Sequence, residues 1–379
     1  MKFIHLSDLH IGKRLYETSL IEDQRFILKQ IVRIAASEKP DGVIIAGDVY
    51  DKPVPSAEAV LTFDTFLTDL KALGTEVFVL SGNHDSAERI GFGSKLMNER
   101  FHLSPVYDGA VEPVTMTDAY GTLKVWMLPF LKPVHVRAAF PEEAEEIVSY
   151  TDAMRVAVSR LPLDPEDRNV LITHQFVTGA LRSESEEVSV GGTDNVDASV
   201  FSGFDYVALG HIHGAQNCGS ERIRYCGTPL KYSFSEANDE KSVTVAELGA
   251  KGAFTCRTVP LKPLRDMVRL KGTYDDLMMR KNYENTTLTE DYLSVTLTDE
   301  QDVSDAMAKL RNVYRNLLHL EYDNARTRAQ RIVTGAENAE TKTPLELFCE
   351  LFAMQNGRSM SEAQIAFVTD LIETISEGR

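Results

Sequence analysis

The chain has 379 residues, of which 43% are hydrophobic and 26% charged, and its net charge is −17. This length exceeds what one small core needs and predicts two domains with an appendage. No apolar run reaches about 18 residues, which excludes a membrane-spanning helix, and the acidity argues against a solitary, tight nucleic-acid binder, because neutralising phosphates dominates such affinity.

The N-terminal half predicts alternating strands and helices. Short β-branched or aromatic runs bounded by turn residues predict strands at 3–7, 42–46 and 76–81. Helical spacing predicts helices at 20–37 and 56–73, the second capped by Ser56 and stopped by Gly74. This βαβαβ order predicts parallel strands with right-handed crossovers.

The pattern continues to about residue 258. Further strands are predicted at 123–128, 169–173, 205–209, 223–226 and 242–247, and a helix at 143–160. We therefore expect an α/β sandwich of two mixed sheets flanked by helices over residues 1–258.

A small α+β module is predicted at 259–325. Its strands are expected at 266–270, 292–297 and 318–322, and its helix at 303–316. Residues 326–342 are polar without apolar period and predict a linker.

Two short amphipathic helices are predicted at 343–379. Capping boxes begin at Thr343 and Ser361, and Pro344 stands at a first helical position. Apolar side chains then recur at helical spacing, namely Leu345, Phe348, Leu351 and Phe352 in the first helix and Ile365, Val368, Ile372 and Ile375 in the second. These stripes must be buried either on their own domain or on a partner.

The four cysteines stand at irregular spacings without a CxxC pair. This arrangement predicts reduced thiols rather than a disulfide framework or a zinc cage. The N-terminus has no signal-peptide features, so we expect a cytoplasmic protein.

Side chains able to bind metals follow five predicted strands, at the carboxyl ends where α/β sheets place their ligand sites. They are Asp8, His10, Asp48, Asn83, His174, His211 and His213. Taken singly, an Asp-x-His after a strand is more often a turn or a cap, and a His-x-His is ambiguous. Five coincident strand ends favour a metal site. Gly47, Gly82 and Gly210 allow the sharp turns that such loops need.

The ligand types narrow the kind of metal. Carboxylate, imidazole and amide groups without a thiolate suit a hard or borderline ion such as manganese. Seven ligands are too many for one ion with an open position, so we expect two ions about 3.5–4 Å apart, bridged by a carboxylate. Asp48 is the predicted bridge, because it follows the middle strand of the βαβαβ unit.

His84 is the predicted catalytic residue. It neighbours a ligand, and its imidazole can donate a proton to a leaving oxygen or stabilise developing charge. Asp85 is predicted to orient this ring.

The ordered motifs DLH, GDVYD, GNHD, TH and GHIH resemble those of the calcineurin-like metallophosphoesterases. The stretch YCGTPLKY at 225–232 resembles, more closely, the nuclease subunits of SbcD type. The resemblance implies one manganese held by Asp8, His10, Asp48 and His213. It implies a second held by Asp48, Asn83, His174 and His211, with magnesium a less active substitute, and His84 as the catalytic histidine.

The resemblance also implies activity and partners. It implies 3′→5′ degradation of duplex DNA and nicking of single strands and hairpins, in repair, recombination and replication at the nucleoid. The module at 259–325 would face DNA, the helices at 343–379 would grip the coiled coil of an SbcC-type ATPase, and the nuclease domain would form a homodimer. Asp51 departs from archaeal relatives, which carry a second active-site histidine there.

Two other functions stay open. A phosphodiesterase of the same superfamily acting on small substrates would need neither the module nor the tail. A non-catalytic scaffold on the same fold typically loses ligands, and none is lost here. The protein-phosphatase signatures GDxVDRG and GNHE are replaced by GDVYDK and GNHD.

Overall fold

The computed structural model describes residues 1–94, 96, 100–183, 186, 194–325, 327 and short C-terminal stretches at 345, 348–349, 351–353, 359–361, 364–369 and 371. Contacts divide the chain into two units, Met1–Arg269 with Glu290–Leu293, and Leu270–Thr289 with Ser294–Arg379. No helix in the described ranges is long and apolar enough to cross a membrane. The predicted linker at 326–342, save residue 327, and most of the predicted helices at 343–379 lie outside the described residues.

The elements of the first unit alternate as the sequence predicts. In chain order they are β1 (Lys2–Leu6), β2 (Arg14–Leu15), β3 (Thr18–Ser19), α1 (Ile21–Glu38), β4 (Gly42–Ala46), α2 (Ala57–Ala72), β5 (Glu76–Leu80), α3 (Ala87–Ile90), β6 (Phe101–Leu103), β7 (Val114–Asp118), β8 (Gly121–Leu128), α4 (Pro133–Ala139), α5 (Tyr150–Ser159), β9 (Arg168–His174), β10 (Phe176–Val177), β11 (Asn195–Val196), β12 (Tyr206–Gly210), β13 (Gln216–Cys218), β14 (Ser220–Tyr225), β15 (Ser242–Leu248) and β16 (Phe254–Pro260).

Two six-stranded mixed sheets form the unit, of order β16-β15-β1-β4-β5-β6 and β13-β14-β12-β9-β8-β7. In the first sheet β1, β4, β5 and β6 run parallel, and β15 and β16 are antiparallel. In the second, β14, β12, β9 and β8 run parallel between antiparallel edges. The predicted α/β sandwich of mixed sheets is confirmed.

The core lies between the sheets. Phe3, Ile44 and Phe78 of the first sheet pack in one buried cluster with Val170 and Ala208 of the second. A second cluster joins the other face of β9 and β12 to α4 and α5. Strands covered on both faces are apolar throughout, as GVIIA of β4 is.

Capping decides where the helices begin. Ser56 Oγ accepts a hydrogen bond from Ala59 N at 3.2 Å, which confirms the predicted cap of α2. The helix predicted over 143–160 is wrong in its first half. Ser149 and Asp152 form a capping box that starts α5 at Tyr150, and the preceding Pro141–Glu143 forms a 3₁₀ turn instead.

A three-stranded sheet lies near the C-terminal end of the described chain. It is formed by β17 (Met267–Gly272), β18 (Tyr292–Leu297) and β19 (Leu317–Tyr322) in that order, and the helices here are α6 (Tyr274–Leu277) and α7 (Ala306–Arg311). The helix predicted over 303–316 is therefore too long at both ends, because the left-handed φ of Asp305 (+54°) starts it late. A turn from Leu310 to Val313 ends it early.

Part of the predicted tail is described. Ser361 N donates to Gln364 Oε1 at 2.9 Å and Gln364 N donates to Ser361 Oγ at 3.4 Å, which confirms the second capping box. Thr343 and Pro344 of the first box lie outside the described residues. The aromatic side chain of Phe348 is 45% exposed and the side chain of Leu351 is 40% exposed.

Candidate metal centre

The structure brings the seven predicted ligands together at the carboxyl ends of the strands of both sheets. Strands β1, β4 and β5 of the first sheet are neighbours, as are β9 and β12 of the second. Their ends carry Asp8, His10, Asp48, Asn83, His174, His211 and His213. All but Asn83 are at least nine-tenths buried. Buried charge of this density requires a compensating partner.

One donor group surrounds the Asn83 amide oxygen. His174 Nε2 lies 3.0 Å and His211 Nδ1 2.9 Å from Asn83 Oδ1. His174 Nε2 also lies 3.4 Å from Asp48 Oδ2. Donor atoms that each stand about 2.1 Å from one ion are separated by roughly 3 to 3.5 Å. The spacing therefore fits a divalent ion.

A second donor group lies on the other side of Asp48. His10 Nε2 faces His213 Nε2 at 3.3 Å and Asp48 Oδ2 at 3.8 Å. Asp8 joins both groups, since its carboxylate lies within 4.8 Å of the donors of His10 and His213 and, separately, of Asp48 and His174. Two aspartates between two sets of imidazoles suit a pair of ions that share a carboxylate.

Backbone strain marks the same residues. The φ angles of Asp8, His10, Asp48 and His211 are +52°, +43°, +49° and +100°. Left-handed backbone is uncommon outside glycine and clusters at functional sites. Hydrogen bonds hold it, for example from Asp8 N to Gly47 O at 3.0 Å and from His211 N to the Asp8 carboxylate at 3.1 Å.

Three glycines leave room for the donors. Gly47 has a φ of +91°, as the sharp turn predicted there requires. At Gly82 and Gly210 the reason is space instead. An added Cβ would stand 2.1 Å from Asp48 Oδ1 at Gly82 and 1.9 Å from Ala46 O at Gly210. These two positions are small because donor-bearing loops pass against them.

His84 lies at the edge of the donor groups. Its backbone N donates to Asp48 Oδ1 at 2.9 Å, and its Nε2 stands 4.0 Å from Asp48 Oδ2. The ring meets His10 edge-on at 4.8 Å and its side chain is 19% exposed. This position lets Nε2 face an incoming group.

The orienting partner predicted for His84 is different in the structure. Asp85 accepts hydrogen bonds from the backbone N–H groups of Val49, Tyr50 and Gly82 at 3.0 Å each, and so ties the loops after β4 and β5 together. The His84 ring is instead placed by its Nδ1, 3.2 Å from the Asp51 carbonyl oxygen. Asp51 thus contributes through its backbone, while its carboxylate pairs with Lys13 at 2.8 Å.

The sequence does not predict the two carboxylates that contact His213, those of Glu236 and Glu186. Glu236 is 1% exposed, and its carboxylate lies 3.5 Å from His213 Nδ1 and 2.6 Å from Lys241 Nζ. Glu186 accepts from His213 N at 2.6 Å. Carboxylates behind a ligating histidine fix its tautomer and raise its basicity. Neither glutamate follows a strand, so no pattern pointed to it.

Burial and opposite charge set the protonation of the centre. Burial would raise the pKa of the Asp48 carboxyl, but the imidazoles of His174 and His10 hold it well below its usual range. Burial would lower the pKa of His174, yet mainly Asp48 raises it to about 9. Burial lowers the pKa of His211 to about 3. An ion that binds His174 must therefore displace a proton from it.

The chain matches two family models. Residues 1–215 match the family of calcineurin-like phosphoesterases, and residues 263–356 match a family described as the type 5 capsule protein repressor C-terminal domain. The four cysteines are free in the structure.

Relatives match most of the chain. A protein of Staphylococcus epidermidis, named as the D subunit of the nuclease SbcCD, is 32% identical over 325 residues, 84% of this chain and 85% of its own. The protein of the same name from Staphylococcus saprophyticus is 32% identical over 323 residues, 84% of each chain. A solved dimetal phosphatase from Danio rerio aligns with 70% of this chain and 98% of its own, at 11% identity and a TM-score of 0.42.

Proposed function

Because the chain belongs to the calcineurin-like phosphoesterases and, within them, to the SbcD family, it is a metal-dependent hydrolase, and we propose that it is a two-manganese DNA nuclease. The observation that carries the proposal is the placement of Asp48 between two donor groups. Its Oδ2 lies 3.4 Å from His174 Nε2 on one side and 3.8 Å from His10 Nε2 on the other.

The two donor groups suggest how the ligands divide. Asp8, His10, Asp48 and His213 would hold one ion, and Asp48, Asn83, His174 and His211 the other. The close approach of His10 and His213 nitrogens, and of both other histidines to Asn83, supports this division. The donor set favours manganese, with magnesium a poorer substitute.

When bound, the ions supply Lewis acidity, which generates a nucleophile from water at neutral pH and neutralises the phosphate oxygens. The protein's own residues do the rest. His84, set by the Asp51 carbonyl and by Asp48, would give a proton to the departing oxygen or stabilise its charge. Glu236 would hold His213 in its ligating tautomer.

We propose the substrates and partners that the family suggests. The enzyme would degrade duplex ends with 3′→5′ polarity and nick single strands and hairpins, in DNA repair, recombination and replication. It would work in the cytoplasm at the nucleoid, as a homodimer with an SbcC-type ATPase bound through the tail. The match at 263–356 supports a further domain after the phosphoesterase domain, which an enzyme for small substrates would not need. We propose that the module at 259–325 faces DNA.

The test is a nuclease assay on hairpin and linear duplex DNA, with and without the cognate ATPase. Cleavage is expected with manganese, to be weaker with magnesium and absent with chelator. Hydrolysis confined to bis-nitrophenyl phosphate would favour the small-substrate enzyme. No hydrolysis of either substrate, with both ions bound, would favour the scaffold.

A further inference from the structure

A cavity of about 420 Å³ lies beside Asn83 in the first unit. Phe130, Tyr107, Lys132 and Glu88 are among its lining residues. Because the Asn83 amide oxygen contacts two of the predicted metal ligands, the cavity begins where the metal centre ends. Its volume is that of a small-molecule pocket. The proposed roles of the metal ligands and of His84 do not involve this cavity.

Phe130 gives the cavity a fixed aromatic wall. Its ring lies nearly parallel to that of His211, at 6.2 Å and 21°, and edge-on to that of His174, at 6.2 Å and 84°. Its backbone N donates to Ser81 O at 3.1 Å. The side chain is partly exposed. A partly exposed ring that lines the cavity and is held by two histidines suits the stacking of a flat heterocycle.

The charges of the lining favour a neutral guest with a polar edge. Lys132 is exposed and makes no ion pair among the residues that the structure describes, and the carboxylate of Glu88 belongs to the same lining. The Asp85 carboxylate already accepts hydrogen bonds from three backbone N–H groups. The Tyr107 hydroxyl is buried without a hydrogen-bond partner within the described chain. The lining holds the Lys132 ammonium, the carboxylates of Asp85 and Glu88 and the imidazole of His135, and this mixture of charges does not build a second phosphate site.

We propose that this cavity receives the base of one nucleotide next to the bond that is cut, stacked on Phe130. The Lys132 ammonium would stand beside an adjoining backbone phosphate. The inference rests on the proposed nuclease function and adds a nucleotide subsite to it. Since every base has a face that can stack, the subsite would bind any of the four bases without sequence preference.

The test uses the full-length protein with manganese and a series of oligonucleotides, each with one abasic residue at a different position around the cleavage site. An abasic residue at one position is expected to lower kcat/KM about tenfold, the effect of one stacked base. Phe130→Ala should lower cleavage of intact DNA by about the same factor. On that abasic substrate it should cause no further loss, and Phe130→Trp should restore cleavage of intact DNA.

Tyr120→Ala is the matched control, because this aromatic side chain is 61% exposed and lies outside the cavity. It should leave every rate unchanged. Manganese stoichiometry is measured for each variant, since Phe130 also packs against two histidines. If Phe130→Ala loses manganese, its cleavage rate no longer tests the subsite. The abasic series on the unmodified protein then shows whether the cavity binds a base.

Two negative results are distinguishable. Cleavage of intact DNA with equal rates at all abasic positions would overturn the subsite and leave the nuclease. Failure to cut any DNA with manganese bound would overturn the nuclease and, with it, the subsite.

Discussion

His84 lies beside the donor groups but is not itself a predicted ligand, and its backbone N–H, which donates to Asp48, stays when the side chain is removed. We expect His84→Ala to keep both manganese ions and to lose roughly 10²- to 10⁴-fold in cleavage rate, the usual contribution of a general acid. Metal analysis and steady-state kinetics check this. His102→Ala is a matched control, since this half-buried histidine lies on β6. Loss of metal from the His84 variant would assign it a structural role.

Asp48 is the proposed bridging ligand, because its Oδ2 lies 3.4 Å from His174 Nε2 and 3.8 Å from His10 Nε2. Asp48→Ala should therefore release both ions, because each loses an anionic ligand and the His84 backbone loses its acceptor. Metal content after dialysis measures the outcome. Retention of two ions per chain would refute the bridging assignment.

We expect Glu236 to act through His213, whose Nδ1 lies 3.5 Å from its carboxylate, rather than on substrate. Glu236→Gln keeps the volume and removes the charge, and we expect about a 10- to 100-fold weaker affinity for one of the two ions. Titration calorimetry with manganese resolves the two sites. Glu76→Gln is the matched control, because Glu76 likewise accepts from a histidine, His102, at 2.9 Å. Equal weakening of both sites, or of neither, would contradict the positioning role.

At the scale of elements, the sequence predicts buried strands more accurately than strands at the edge of a sheet. The sequence predicts the mostly buried strands β4 and β18 to the residue, because their apolar runs are short and bounded by turns. Edge strands such as β7 and β16 were missed, since half-exposed antiparallel strands carry weaker patterns. The seven candidate ligands could be named from strand ends alone. The residues that contact these ligands could not be named from the sequence. Contacts such as that of Glu236 with His213 join loops that are distant in the chain, and no local sequence pattern indicates them.

Strand β1 carries a buried histidine that makes stability depend on pH. Burial lowers the pKa of His5 to about 3 from 6.5. Above pH 6.5 the ring is neutral in both states. As pH falls below 6.5 the unfolded chain takes up a proton that the folded chain refuses, so stability falls by about 1.4 kcal/mol per pH unit.

His5→Phe should therefore reduce the loss of unfolding free energy between pH 7 and pH 5 by up to about 2 kcal/mol. Urea titrations of the metal-free protein at both pH values measure it. Tyr206→Phe is the control, because it removes the hydroxyl 2.8 Å from His5 Nδ1 and leaves the imidazole buried. An unchanged pH dependence in His5→Phe would show that folding does not lower the pKa of this ring.

At the scale of the whole molecule, the net charge of −17 is unfavourable for binding DNA, and we propose that the chain holds DNA together with an ATPase partner. We expect deletion of residues 336–379 to abolish co-purification with the ATPase while manganese-dependent nicking persists. Replacing Phe348 and Leu351, both exposed, with aspartate should weaken the association in the intact chain. Undiminished co-purification of the deletion variant would place the contact elsewhere. The domain boundaries at 258, 325 and 342 stay predictions.

The predicted ligands come from two separate sheets. The connections of the chain alone do not hold the carboxyl ends of these sheets together. A pair of bound cations would cross-link the two sheets. Their binding free energy would stabilise the native state only. Cofactor supply would then govern how long the folded enzyme survives heat and proteases, quite apart from how fast it turns over.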